Sequence, residues 1–253
     1  MTFGGARPVT LQVPPNFDAS KSYPLTIILH GYGANGFVQE SYFDAKQLVT
    51  ANDTLMLAPD GTTDTTGAQF WNADPECCDF YHANPDDVGY IGGLIDEVRA
   101  AWPVDEKAIS LIGHSNGGYM AYRMACERAD VVRSIVVLAG NAATVPSTCT
   151  PSGAVDVLHL HGTADTEVPY AATAMRSVQQ WAGLDACGTT FSAGASYDID
   201  VSIPGMETTS QIADGCPSGV DVELWSIAGA GHLPNLDATF APQVWTWLSA
   251  HRR

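Results

Sequence analysis

The sequence predicts an α/β fold: a mostly parallel central sheet with helices on both faces. Short, almost continuous apolar runs recur along the chain, as in strands buried on both sides. Amphipathic stretches of helical period lie between them. A chain of 253 residues with 45% hydrophobic content also suits one large core, because folding at that length buries about 75% of the unfolded surface. A single domain over residues 1–253 is therefore expected.

The apolar runs place strands at 25–30, 54–58, 108–113, 134–139, 155–161 and 220–227, with 9–13 as an antiparallel edge. Asn84 before Pro85 reads as an N-cap, with Asp86 and Asp87 favourably placed in the first turn. Val88, Ile91, Ile95, Val98 and Trp102 trace one face of that helix, which must stop before Pro103. Further helices are predicted over 38–50, 116–128, 170–182 and 243–251. Two irregular segments, 60–83 and 183–219, are too short for a large helical lid, so an open site is expected.

Eleven Lys and Arg stand against 28 Asp and Glu, a formal charge of −17 that repels phosphate backbones and anionic headgroups. Nucleic acid is not an expected partner, no run of apolar residues is long enough to span a membrane, and a monomer is expected. No signal-peptide pattern occupies the first residues, so an export signal would lie outside this sequence.

Six cysteines form an even set. Their neighbourhoods favour Cys126 with Cys149 and Cys187 with Cys216, each pair bracketing one local excursion. Adjacent Cys77 and Cys78 either bridge, stiffening a turn, or stay thiols; the bridge is favoured. The alternative for all six is reduced, buried cysteine in a cytosolic enzyme. No zinc spacing occurs and Asp60 and Asp64 do not form a calcium loop, so no metal is expected.

The predicted strand at 108–113 runs straight into Gly113-His114-Ser115-Asn116-Gly117 and then into a helical pattern. A nucleophilic serine on a strained strand-to-helix turn needs small flanking residues there, so Ser115 is the candidate nucleophile. Its hydroxyl requires a base, and the base an orienting acid, in the chain order serine, acid, histidine. His232 follows the last predicted strand through a Gly-containing loop, whereas His251 sits near the end on a helix. Asp165 follows the strand at 155–161, ahead of its competitors Glu167 and Asp156. For a tetrahedral oxyanion, the backbone N–H groups of Asn116 and Tyr32 are the expected donors. Tyr32, Trp71 and His114 are read as contacting or flanking substrate, Trp71 as a cleft wall and His114 as a support beside the nucleophile. His159 and His161 point to one strand face and are read as packed residues.

Taken together, His30-Gly31-Tyr32-Gly33, Pro59-Asp60-Gly61, Phe70-Trp71-Asn72 with Cys77-Cys78, Asp86-Asp87-Val88, the segment 113–118, His161-Gly162-Thr163-Ala164-Asp165 and Gly231-His232 carry a resemblance. On these motifs the chain resembles the secreted polyhydroxybutyrate depolymerase and feruloyl esterase-like hydrolases of the α/β-hydrolase fold. The resemblance implies export, disulfides, an exposed cleft and no cofactor, and it supports Ser115, Asp165 and His232 position by position. The expected activity is ester hydrolysis through an acyl-enzyme, on short-chain, aromatic or polyester substrates. A peptidase, an acyltransferase and a non-catalytic binding module are the rival readings. Ester is favoured over amide because no lid-sized insertion is present to enclose a poor leaving group.

Overall fold

The computed structural model describes residues 1–252. Two short strands, β1 (Thr2–Phe3) and β2 (Val9–Thr10), form a small hairpin ahead of the main sheet. The chain then runs β3 (Tyr23–Leu29), α1 (Gly36–Tyr42), α2 (Lys46–Thr50), β4 (Leu55–Leu57) and a second small hairpin of β5 (Thr62–Thr63) and β6 (Gln69–Phe70). Next come α3 (Asp87–Ala101), β7 (Val104–His114), α4 (Asn116–Glu127), β8 (Ser134–Leu138), β9 (Asp156–Gly162) and α5 (Tyr170–Leu184). The chain closes with β10 (Phe191–Tyr197), β11 (Thr208–Ala213), β12 (Val222–Ile227) and α6 (Phe240–Ala250).

The main sheet has eight strands in the order β10-β11-β12-β9-β8-β7-β3-β4. From β12 to β4 every neighbouring pair is parallel, so the carboxyl ends of β3, β7, β9 and β12 lie along one rim. Period-two alternation splits the core in two. Ile27, Leu111, Val137 and Leu224 pack with Ile95, Met120 and Val178 under α3, α4 and α5. Ile28, Ile112, Val136 and Trp225 pack with Leu48, Phe240 and Val244 under α2 and α6. This is the predicted α/β fold, with helices on both faces of a mostly parallel sheet.

Several elements differ from the sequence reading. The N-cap of α3 is Asp86, whose carboxylate accepts the N–H of Gly89 at 2.8 Å. Asn84 lies in the loop before it with φ of 49°, its side-chain amide donating to the His82 carbonyl. The predicted helix over 38–50 breaks into α1 and α2 around Asp44, which takes φ of 47°. The segment 9–13 is no continuous edge strand: β2 pairs with β1, and Gln12 alone bridges Met56. The stretch 183–219, read as irregular, contains β10 and β11. Serine, glycine and alanine fill β10 between Phe191 and Tyr197, and its side chains are largely exposed, so no apolar alternation marks it as a strand.

Candidate active site

At the end of β7 the chain turns through Ser115 into α4. Ser115 takes φ of 52° and ψ of −121°, a conformation costly for a residue with a Cβ. The turn is so tight that a Cβ on Gly113 would lie 2.2 Å from the Gly117 carbonyl oxygen, and one on Gly117 2.2 Å from that of Leu29. The Ser115 amide donates to the Leu138 carbonyl at 2.9 Å, tying the turn to β8. Although Ser115 occupies the N-cap of α4, its hydroxyl makes no capping bond. Asn116, at the first helical position, has no intrahelical acceptor for its N–H.

The loop after β3 stands beside this turn. A Cβ on Gly31 would come within 3.4 Å of the Ser115 Cβ, which puts the next residue, Tyr32, at the edge of the same site. His30 beneath it is fully buried and fixes the loop: Nδ1 donates to the Gly31 carbonyl at 2.8 Å, and Nε2 accepts from the Gly61 N–H at 2.9 Å. The Tyr32 hydroxyl donates to Asp64 at 2.7 Å, and its ring meets Phe80 edge-on at 5.3 Å between centroids. Tyr32, Phe80 and Tyr81 are all exposed aromatic side chains.

The loops after β9 and β12 are joined to each other. Thr163 N–H donates to Ile227 O and Ala164 N–H to Ala230 O, both at 2.9 Å, and Gly229 N–H reaches the Thr163 hydroxyl. These bonds bring Asp165 and His232 together, with His232 Nδ1 donating to Asp165 Oδ2 at 2.7 Å. The other carboxylate oxygen accepts the N–H groups of Glu167 and Val168 at 2.9 and 3.0 Å. Burial pushes the Asp165 carboxyl upward, but the bonds from His161 and His232 and the His232 charge outweigh it and hold the group well below the usual carboxylate range.

His114, immediately before Ser115, donates from Nε2 to the main-chain carbonyl of His232 at 3.0 Å, with the rings 5.0 Å apart. Burial lowers its pKa to about 4, so it is neutral at physiological pH. The turn that carries Ser115 thus also anchors the loop that carries His232. His114 is inaccessible to a substrate, which corrects its reading as a substrate contact.

Trp71 calls for a second correction. It is fully buried, its indole N–H donating to the His30 carbonyl at 3.0 Å, so it supports the Tyr32 loop from below and forms no cleft wall. Its main chain and the Asn116 side chain exchange two bonds: Trp71 N–H to Asn116 Oδ1 at 2.7 Å and Asn116 Nδ2 to Trp71 O at 2.9 Å. This use of the Asn116 amide was missed in the sequence, where the residue mattered only for its backbone N–H.

The cysteines pair as Cys77–Cys78, Cys126–Cys149 and Cys187–Cys216. Among the described residues no cluster suited to a metal ion occurs, and no helix is long and apolar enough to cross a membrane. A cavity of about 520 Å³ lies along α4, lined by Asn72, Asp74, Tyr119, Arg123 and Asn141. It begins one helical turn from Ser115, whose carbonyl accepts the Tyr119 N–H at 3.0 Å.

The sequence profile of the phospholipase/carboxylesterase family matches residues 17–185. The chain belongs to that family. Among relatives of this phospholipase/carboxylesterase-family chain, NocK of Nocardia uniformis subsp. tsuyamanensis, named as an esterase, is 30% identical over 66% of the chain and 47% of its own length. Feruloyl esterase D of Neurospora crassa is 23% identical over 97% of the chain and 82% of its own length. The match thus spans about half of the first relative and most of the second. Among solved structures, an acetyl xylan esterase from Aspergillus awamori superposes with a TM-score of 0.71 at 13% identity, covering 99% of this chain and 98% of that one. At that identity the likeness speaks for the shared α/β-hydrolase fold alone.

Proposed function

We propose that this family member is a serine carboxylic ester hydrolase working through an acyl-enzyme. Ser115 is the nucleophile, His232 the general base and Asp165 the orienting acid. The observation that carries the reading is the Asp165–His232 hydrogen bond of 2.7 Å, anchored through His114 to the same strained turn that presents Ser115.

The roles follow from the proton positions. Asp165 accepts from Nδ1, so the neutral His232 ring carries its hydrogen there and keeps its lone pair on Nε2. Nε2 takes the serine proton as Oγ attacks the ester carbonyl, and the imidazolium formed stays paired with Asp165. The developing oxyanion is received by the N–H groups of Asn116 and Tyr32, and loss of one such donor typically costs about 10² to 10³ in turnover. His232 then protonates the departing alcohol. Water repeats the sequence in reverse and frees the acid.

The exposed aromatic rim of Tyr32, Phe80 and Tyr81 supports an aromatic or extended acyl group, as does the name of the feruloyl esterase D relative. The cavity along α4, with carboxylate, guanidinium, amide and phenol on its wall, supports a polar alcohol portion. Three disulfides fit export to an oxidising compartment.

The test is hydrolysis of p-nitrophenyl butyrate, a feruloyl ester, a peptide and a polyester film by the wild type and Ser115→Ala. Ester cleavage that disappears with the serine is expected. Activity that persists in Ser115→Ala, or cleavage of the peptide alone, would refute the reading.

A further inference from the structure

Behind Asp165, alternation along β9 sets His159 and His161 on one face of the sheet. Both are fully buried, and their rings stack 5.2 Å apart with planes 16° from parallel. They belong to a continuous row of hydrogen bonds. The Tyr122 hydroxyl lies 2.9 Å from His159 Nδ1, and His159 Nε2 lies 3.0 Å from His161 Nδ1. His161 Nε2 lies 3.1 Å from Asp165 Oδ2 and 2.8 Å from the Val168 carbonyl. The row therefore ends on the same carboxylate oxygen that holds His232 Nδ1.

Proton positions follow by elimination. His161 Nε2 faces a carboxylate and a carbonyl, both acceptors, so it carries a hydrogen. Burial keeps His159 neutral, with one N–H to place. If that N–H pointed at Tyr122, the phenol hydrogen would have to turn away from His159, its hydrogen-bond partner among the described residues. The arrangement that satisfies every atom has Tyr122 donating to His159 Nδ1, His159 Nε2 donating to His161 Nδ1, and the His161 Nε2–H shared between the Val168 carbonyl and Asp165 Oδ2.

We infer that Tyr122, His159 and His161 form a one-directional row of buried donors whose last N–H positions Asp165 and tempers its hold on His232. This inference rests on the triad reading given above. Each donor in such a row polarises the next, and the shared oxygen binds a protonated His232 less strongly than an unshared one would. The three are positioning residues that act through Asp165.

Other ionisable groups also surround the pair: Glu167 on the Asp165 loop, His114 at the end of β7, Tyr170 edge-on to His161, and Tyr42 edge-on to His114 with Asp200 near its phenol. None of these is changed in the variants that test the row.

The experiment compares the full chain with His161→Leu, His161→Gln and Tyr122→Phe, counting competent molecules by fluorophosphonate labelling of Ser115. In His161→Leu the carboxylate loses a donor and holds the imidazolium more tightly. The acid limb of the kcat/KM profile should move up by about half to one pH unit, and kcat per labelled site should fall about tenfold. His161→Gln, which restores an N–H toward Asp165, should return the limb to its place, and Tyr122→Phe should shift it the same way by less. Imidazole ¹⁵N spectra of the wild type should show the Nε2–H tautomer at both His159 and His161. An unmoved limb in His161→Leu with normal labelling, or an Nδ1–H tautomer at His159, would overturn the row while leaving the triad standing. Should His161→Leu fail to fold, the Tyr122→Phe profile and the wild-type spectra decide. Activity surviving Ser115→Ala would overturn the triad reading and the row's role with it.

Discussion

The Nε2–H of His114 is bonded to the main-chain carbonyl of His232, joining residues 118 positions apart at 3.0 Å. Because His114 precedes Ser115 directly, two strand ends share one fixed point. His114→Leu should lower kcat about tenfold, the equivalent of one lost hydrogen bond of about 1.4 kcal/mol, with a smaller change in KM. Steady-state kinetics normalised to fluorophosphonate-labelled sites would check this. Unchanged kcat would mean that the bond does not position His232.

The same histidine predicts how stability responds to acid. Its folded pKa, lowered to about 4 by burial, lies below the unfolded value near 6.5, so between these two the unfolded chain binds the extra proton. Stability from this group is full above about pH 6.5 and is lost toward pH 4, at up to about 1.4 kcal/mol per pH unit. His114→Gln removes the contribution and cancels those of all other groups in the comparison. Melting temperature should therefore fall less steeply from pH 6.5 to 4.5 in the variant than in the wild type. Parallel curves would contradict a neutral buried His114.

Trp71 sits beneath the Tyr32 loop and outside the cleft. Trp71→Phe keeps a buried ring but leaves the His30 carbonyl without its N–H donor, a loss of about 1 to 3 kcal/mol. KM for a feruloyl ester should be nearly unchanged while denaturant resistance drops. A large KM rise at unchanged stability would place the indole in contact with substrate.

The Cys126–Cys149 and Cys187–Cys216 bridges join residues 23 and 29 positions apart. In the chain-entropy view each should contribute about 3 to 4 kcal/mol by restricting the unfolded chain. Calorimetry with and without strong reductant should show a clear drop in Tm, and Cys126→Ser with Cys149→Ser should reproduce part of it. A Tm indifferent to reductant would argue against both bridges.

Much of the architecture was legible because its signals are local. Buried parallel strands announce themselves as apolar runs, and the Gly113–Gly117 turn advertises its steric need directly, since a Cβ on either glycine would strike backbone. The strands β10 and β11 stayed hidden for the opposite reason: β10 is an edge strand of mostly exposed small residues, and β11, between β10 and β12, is mostly polar, so neither carries an apolar alternation. The cap of α3 was misplaced by two residues because Asn84 and Asp86 are both good caps, and only the fold chooses between them.

The sequence by itself determined the fold class and the strained Ser115 turn, both of which rest on patterns local in the chain. Only the tertiary structure decided what surrounds them. That Trp71 is a buried brace, that His114 holds His232, and that Tyr122, His159 and His161 line up behind Asp165 are matters of contact between distant segments. Hydrogen bonds form over about 3 Å, and one-dimensional patterns carry no such distances across a sheet.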